Sequence, residues 1–553
     1  MADATYDAVI IGGGNKGLVC AMYLQKYGGM DTAIFESRHE LGGSWASEES
    51  AAPGFICNTH AADIADFYVK ILERDFPQFS ERGCEHIPYQ VAYGTIFRED
   101  NTCIAIYSPL SMDPTQEKSA GEISRFSSRD ADNWLTLFGL WEEYLKEATF
   151  GKWFHEPAPA SFAEPDEFEK SLFKFFSDPR ARKIGADPSW LVKSPLEVAR
   201  DVFESNEMIT GLLRISHSGS GLDPLLSGAG VTFLFQMLWL LYFGHWKGGT
   251  HSAAHAACKC YTEEGGKTFT ESEVEKVLIE DGKAVGIRLV NGAEVMARKA
   301  VVSTFDPAAL CFKLTGKEYF SPITVRRIEG LSRWRVTAAW QQWALHELPR
   351  YKAADFCPDI DKTGWLMLGS KDVYAMVRNH AQRSMNRQPD ELNPIVYAPT
   401  ITDPTMAPPG KHYCGTEDFV LGADQLSEKE WREFKKDFTE KMLETWHDYA
   451  PNMTWDNVIG CSPDMPLDCC NVGQTAPTGN WATIDMIPSQ VGRWRPVPEL
   501  ARHKVPGISG LYATGGAWPP TACASASQGY TCYKVIVEDF KLEKFWEKNG
   551  YPY

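Results

Sequence analysis

Gly12, Gly14 and Gly17 are spaced as G-x-G-x-x-G, and Glu36 follows 19 residues after the last of them. This combination serves the pyrophosphate and ribose of a dinucleotide. The first glycine permits a tight turn, the second lets a phosphate approach the backbone, and the third lets a helix lie close to a strand. Asn15 and Lys16 stand between them, where a helix start presents free N–H groups and a partial positive charge. Glu36 is placed to hold ribose hydroxyls. The motif has meaning only between a strand and a helix. Tyr6-Asp7-Ala8-Val9-Ile10-Ile11 is a short apolar run that predicts a buried strand, and Leu18 to Tyr27 predicts a helix. Thr32-Ala33-Ile34-Phe35 predicts the second strand, ending on the acid.

Ser37, Arg38 and then Gly42-Gly43-Ser44-Trp45 follow. An acid followed about six residues later by Gly-Gly resembles the flavoprotein form of the unit. That form is found in the amine oxidase, phytoene desaturase and Rab GDP-dissociation-inhibitor superfamily. The resemblance implies FAD rather than NAD, with the Gly42-Gly43 loop beside the pyrophosphate.

The chain returns to sheet-forming sequence twice. Gly248-Gly249 precedes a helical stretch, Ser252 to Cys260. Thr268-Phe269-Thr270, Glu273 to Ile279, Ala284 to Leu289 and Ala300 to Thr304 then read as strands. Glu280-Asp281-Gly282-Lys283 and Asn291-Gly292 have hairpin-turn chemistry. Ile508 to Ala517 is a strand running into Gly515-Gly516-Ala517, and Ser527 opens a helix through Phe540. The resemblance implies that the Val274 backbone meets the adenine and that the Gly515 loop lies beside the flavin. The expected fold is α/β: a Rossmann-type FAD-binding domain assembled from three segments, 1–104, 248–311 and 501–553. An α+β substrate domain would come from 105–247 and 312–500.

Within that superfamily the chain is most similar to the phytoene desaturase and carotenoid isomerase group. The similarity rests on Val302 to Pro307, Asp403 to Gly410 and Leu511 to Gly515. It departs from the group after the last strand. A His-Pro-Gly-Gly-Gly loop is common there, and this chain has Trp518-Pro519-Pro520-Thr521-Ala522-Cys523. That loop should face the flavin, so the departure bears on substrate and reaction.

Bulk properties narrow the partners. The 553 residues suffice for two large cores. A net charge of −18, from 73 acidic and 55 basic side chains, disfavours nucleic acid and anionic lipid at long range. The N-terminus lacks a secretory pattern, and 14 scattered cysteines without a C-x-x-C pair fit free thiols in a reducing cytoplasm. The longest apolar stretch, Val231 to Phe243, has 13 residues, against about 20 needed to span a bilayer. Two readings stand: a core helix walling an apolar pocket, or a segment dipping into a membrane surface to admit a lipid-like substrate.

His60 is the candidate catalytic side chain. Its segment, Gly54 to Ala61, returns to the flavin in similar enzymes, and a histidine there could move a proton near neutral pH. A structural role is an equal alternative. His217 and the His251/His255 pair read as structural, and no metal set is complete. Trp334, Trp340, Trp343, Trp365 and Phe356 are expected to wall an apolar pocket, and Gly479-Asn480-Trp481 to line it. The expected activity is FAD-dependent dehydrogenation of an apolar, isoprenoid or cyclic hydrocarbon substrate. Electrons would pass to a quinone or an electron-transfer protein. The alternatives are a redox-neutral isomerase or hydratase using FAD, a lipid carrier of the GDP-dissociation-inhibitor type, and an amine oxidase.

Overall fold

Apolar strands that are buried on both faces form the first sheet. In a computed structural model, which describes residues 3–473 and 478–551, Ala4–Ile11 lies between Thr32–Phe35 and Glu294–Ser303, parallel to both. Lys267–Phe269 extends the sheet beyond Thr32–Phe35. Leu511–Ala513 pairs in parallel with the end of Glu294–Ser303, at Val301 to Ser303. The start of that same strand pairs antiparallel with Lys283–Leu289, which closes a hairpin with Val274–Glu280. Asp281 and Gly282 take the positive φ values that such a two-residue turn requires.

The predicted strands are therefore present, with ends shifted by a few residues. The first helix runs Asn15–Lys26, three residues earlier than the apolar pattern predicts, because the glycine loop itself enters the helix. The predicted helices near 252 and 527 are His251–Glu263 and Ser527–Asp539. Asn15–Lys26 packs between these two helices, and its Leu18 to Leu24 are all buried.

The second sheet has the strand order Val458–Asp464, Ala338–Leu345, His412–Phe419, Ile395–Tyr397, Thr363–Gly369, Val91–Phe97, Cys103–Tyr107. All neighbours are antiparallel except Thr363–Gly369 with Val91–Phe97. Side chains alternate between its faces. Trp343, Cys414, Val396 and Leu366 point one way, into a core with Trp431, Phe438, Met442 and Trp446 of the helix Glu428–Tyr449. Trp340, Glu417, Tyr397 and Trp365 point the other way, toward a cavity.

The apolar stretch beginning at Val231 is not one continuous helix. It forms Gly230–Trp239, one tighter turn, and the strand Phe243–Trp246. No helix among the described residues is long and apolar enough to cross a membrane. We propose a division of the chain in which the first segment of the dinucleotide domain ends before Val91, since Val91–Phe97 belongs to the second sheet.

The contact between the first and last helices is tight at Gly529. A Cβ there would meet the Lys16 carbonyl oxygen at 2.3 Å and the Cys20 nitrogen at 3.0 Å. Gly529→Ala is expected to cost about 1–3 kcal/mol as overpacking. Thermal unfolding should show a lower Tm, and an unchanged Tm would contradict this packing.

Candidate functional site

Two backbone loops meet at the carboxyl ends of the first sheet. Asn15 N–H donates to the Gly42 carbonyl at 3.0 Å, and Gly42 N–H donates to the Gly13 carbonyl at 3.0 Å. Gly43, at φ +58°, lies so close that a Cβ would meet Gly14 Cα at 2.8 Å. Glu36 folds back on the first loop: Oε2 accepts from Gly13 N–H at 2.7 Å, and Oε1 accepts from Arg38 N–H at 2.9 Å. Glu36 N–H donates to the Phe269 carbonyl, and Ser272 N–H donates to the Glu36 carbonyl. These bonds bring Val274 to the same wall as Glu36.

One cavity runs from these loops to the second sheet. Gly12, Gly14, Asn15, Lys16, Glu36, Ser37, Arg38, Gly43, Ser44, Val274, Gly515, Gly516 and His60 all border it. Gly17, Gly42, Trp45 and Ala517 do not. Gly17 sits behind the loop, where a Cβ would meet the Gly12 carbonyl at 2.3 Å. Gly42 is turned toward Ala254 and the Trp45 carbonyl. Trp45 is buried and donates its Nε1–H to the Ala524 carbonyl at 2.6 Å. Ala517 is buried in the apolar core of the first domain.

The far end of the cavity is aromatic. Trp340, Trp365 and Tyr397 come from the second sheet, Trp239, Leu240 and Phe243 from the apolar stretch, and Tyr68 and Trp481 from loops. Of the side chains expected to wall it, Trp343, Phe356 and Trp334 lie elsewhere. Trp343 is one residue out of phase with Trp340's face, so it packs against Trp446. Phe356 lies under the Arg125 guanidinium, and Trp334 abuts His380. His217 is buried against His380 and Phe419, and His251 faces His255 and Glu40. No metal-binding group occurs among the described residues.

Comparison with known proteins fits this geometry. Residues 10–69 match a family described as NAD(P)-binding Rossmann-like domain. The chain is 26% identical to the pyridine nucleotide-disulfide oxidoreductase domain-containing protein 2 of Mus musculus, over 97% of this chain and 94% of the relative. It is 24% identical to a limonene dehydrogenase of Castellaniella defragrans, over 98% of this chain and 96% of the relative. A neurosporene-forming phytoene desaturase of Rhodobacter capsulatus is 29% identical over 30% of this chain and 29% of the relative. A putrescine oxidase structure shares the fold across 97% of this chain and 99% of that one, with a TM-score of 0.57 at 12% identity. The chain is a phytoene desaturase-like, FAD-dependent oxidoreductase.

The cavity walls of this oxidoreductase fit FAD. Lys16 is buried at the helix start, borders the cavity, and forms no ion pair among the described residues. Burial pulls its ammonium down to about 8, with the nearby Arg495 adding to the shift. An anion in the cavity would relieve both effects. The helix start has no side-chain cap, which leaves its N–H groups available to phosphate. We propose that these loops hold the pyrophosphate, that Glu36 takes the ribose, and that Gly515 and Gly516 run beside the flavin.

His60 borders the middle of the cavity, edge-on to Trp340 at 5.1 Å and with Nε2 3.5 Å from Cys469 Sγ. Burial lowers it to about 4, with a smaller effect of Arg38, so the ring is neutral at pH 7. Sequence reasoning missed Asp63, Tyr397 and Glu417 on the same wall. A signal was present in Tyr413-Cys414-Gly415-Thr416-Glu417-Asp418-Phe419. Period two puts Glu417 on the face of Tyr413 and Phe419.

Gly43→Ala and Glu36→Ala are both expected to weaken FAD binding. The first strains a residue at positive φ and separates the loops. The second removes charge-assisted bonds worth about 1.5–3 kcal/mol each, or roughly 10–150-fold in affinity. Fluorescence titration of the apoprotein with FAD measures this, and wild-type affinity in both variants would overturn the assignment.

Proposed function

We propose that the oxidoreductase dehydrogenates an apolar, isoprenoid-type or cyclic hydrocarbon substrate at an activated, allylic-type C–H bond. The observation that carries this reading is the continuity of one cavity from the dinucleotide loops to a chamber walled by Trp239, Leu240, Phe243, Trp340 and Trp365. A relative over nearly the whole chain is named as a limonene dehydrogenase, and that name supports the substrate class.

Bound FAD supplies a two-electron acceptor at flavin N5. The chain's own side chains bind, orient and keep water out. Burying roughly 250 Å² of hydrocarbon at ~25 cal/mol per Å² contributes ~6 kcal/mol, enough for micromolar-range binding only if little ordering cost is met. The aromatic walls are rigid and buried, which keeps that cost low. They also exclude water, so a cation-like carbon formed by hydride loss is not trapped at random. His60, neutral at pH 7, packs on Trp340 and helps shape the wall. Its low basicity makes it a weak proton acceptor at that pH. In this reading the electrons leave to a quinone or an electron-transfer protein.

Anaerobic mixing of the FAD-loaded protein with limonene and longer isoprenoids, followed by flavin absorbance, tests the reading. Stoichiometric bleaching with an alkene or alcohol product is expected. NADH and NADPH should bleach it slowly, because FAD fills the dinucleotide unit. Rapid bleaching by NAD(P)H or by amines, with none by terpenes, would overturn the assignment.

A further inference from the structure

The chamber holds two carboxyl groups that hydrocarbon binding does not require. Glu417 lies in the middle of a central strand, opposite Trp340 on one neighbour and Ile395 on the other. The Tyr397 hydroxyl donates to its Oε2. Asp63 borders the same cavity and accepts at Oδ1 from the Tyr89 hydroxyl, while its covered Oδ2 has no hydrogen-bond partner. Neither carboxyl forms an ion pair among the described residues. Buried carboxyls without a cation are costly to keep, and in a cavity they mark candidate proton-transfer groups.

Their surroundings separate them. Burial pushes Glu417 up to about 7; bonds from Tyr397 and Trp340 pull it down, and the Asp418 charge raises it. Burial holds Asp63 well above the usual carboxylate range, and Glu417 adds to that despite the Tyr89 bond. The groups facing Glu417 are thus Tyr397 from one adjacent strand, Trp340 from the other, Asp63 from the loop across the cavity, and Asp418 from its own strand. His60, stacked on Trp340, stays neutral at pH 7. At neutral pH Asp63 keeps its proton, and Glu417 can exchange one. A pair of acids whose environments differ in this way divides acid and base roles.

We propose that Glu417, held by Tyr397 beside a neutral Asp63, accepts the proton released as the substrate forms its new double bond. This rests on the dehydrogenase reading above. One C–H bond breaks with its electron pair leaving as hydride to oxidised flavin. The C–H bond on the adjacent carbon breaks toward the Glu417 carboxylate, its electron pair becomes the π bond, and Glu417 becomes a carboxylic acid. That proton then passes to water. The carboxylate is the working form, so the rate rises with pH through about 7 and levels off above it.

Two measurements test this on the FAD-loaded full chain. Infrared difference spectra across a pH titration should show a buried carboxylic acid band that disappears with a midpoint near 7. Glu417→Gln should remove that band, and Tyr397→Phe should move its midpoint upward. His60→Asn should leave the band in place. In anaerobic rapid mixing with limonene, Glu417→Gln should slow flavin reduction about 100–10,000-fold and abolish the pH dependence. His60→Asn should keep the pH dependence. Absence of the titrating band, or a wild-type rate and pH profile in Glu417→Gln, overturns the proposal. If limonene and longer isoprenoids reduce not even the wild-type flavin, the dehydrogenase reading fails, and this proton-acceptor role with it. The infrared titration then separately decides whether Glu417 exchanges a proton near neutral pH.

Discussion

Everything about this site depends on two stretches of backbone lying against each other with no side chain between them. Gly14 and Gly43 touch, and Asn15 and Gly42 close the contact with paired N–H···O bonds. The contact exists because the first strand, the first helix and the Glu36 turn are held in register by the parallel sheet. Glu36 adds a clamp, since its carboxylate already bonds the loop that must receive a phosphate. A charged group at this position does structural work before any ligand arrives. The buried Lys16 ammonium then supplies the positive field that the rest of a −18 chain lacks.

The second constraint is the two-residue period of the antiparallel sheet. Its strands carry tryptophans on both faces, and the faces have opposite duties. Trp340 and Trp365 wall the cavity, whereas Trp343 is part of the core beneath the helix Glu428–Tyr449. Shifting one strand by a single residue would exchange these duties and bury Asp418 in the chamber instead of Glu417. Asp418 avoids that environment: it accepts from the Asn393 and Phe419 backbone N–H groups on the far face.

How much of this is legible in sequence follows from how local each signal is. The glycine spacing, the acid at Glu36 and the short apolar runs lie within about forty residues, so strand, loop and helix can be read directly. The hairpin at Asp281-Gly282 is equally plain, because its turn needs positive φ. The chamber is not legible to the same degree, because its walls come from strands more than three hundred residues apart. Aromatic abundance points to the correct strands and cannot say which face each ring takes, so Trp343, Phe356 and Trp334 are misplaced by it. Glu417 and Asp63 escape notice because a carboxylate in a sequence ordinarily signals solvent. Only the burial of their strands and loops shows otherwise.

The strand Glu294–Ser303 has a temporal consequence. It is the partner of the first strand on one side and of Leu511–Ala513 on the other. A ribosome making this chain therefore releases the amino-terminal glycine loop long before its neighbours in the sheet exist. The dinucleotide loop must wait, half-built, through the synthesis of nearly the whole second sheet, and such long-range pairing is slow to form. Cofactor capture is thus a closing event in biogenesis, and during that interval the incomplete sheet edge is the part of the molecule most in need of chaperone protection.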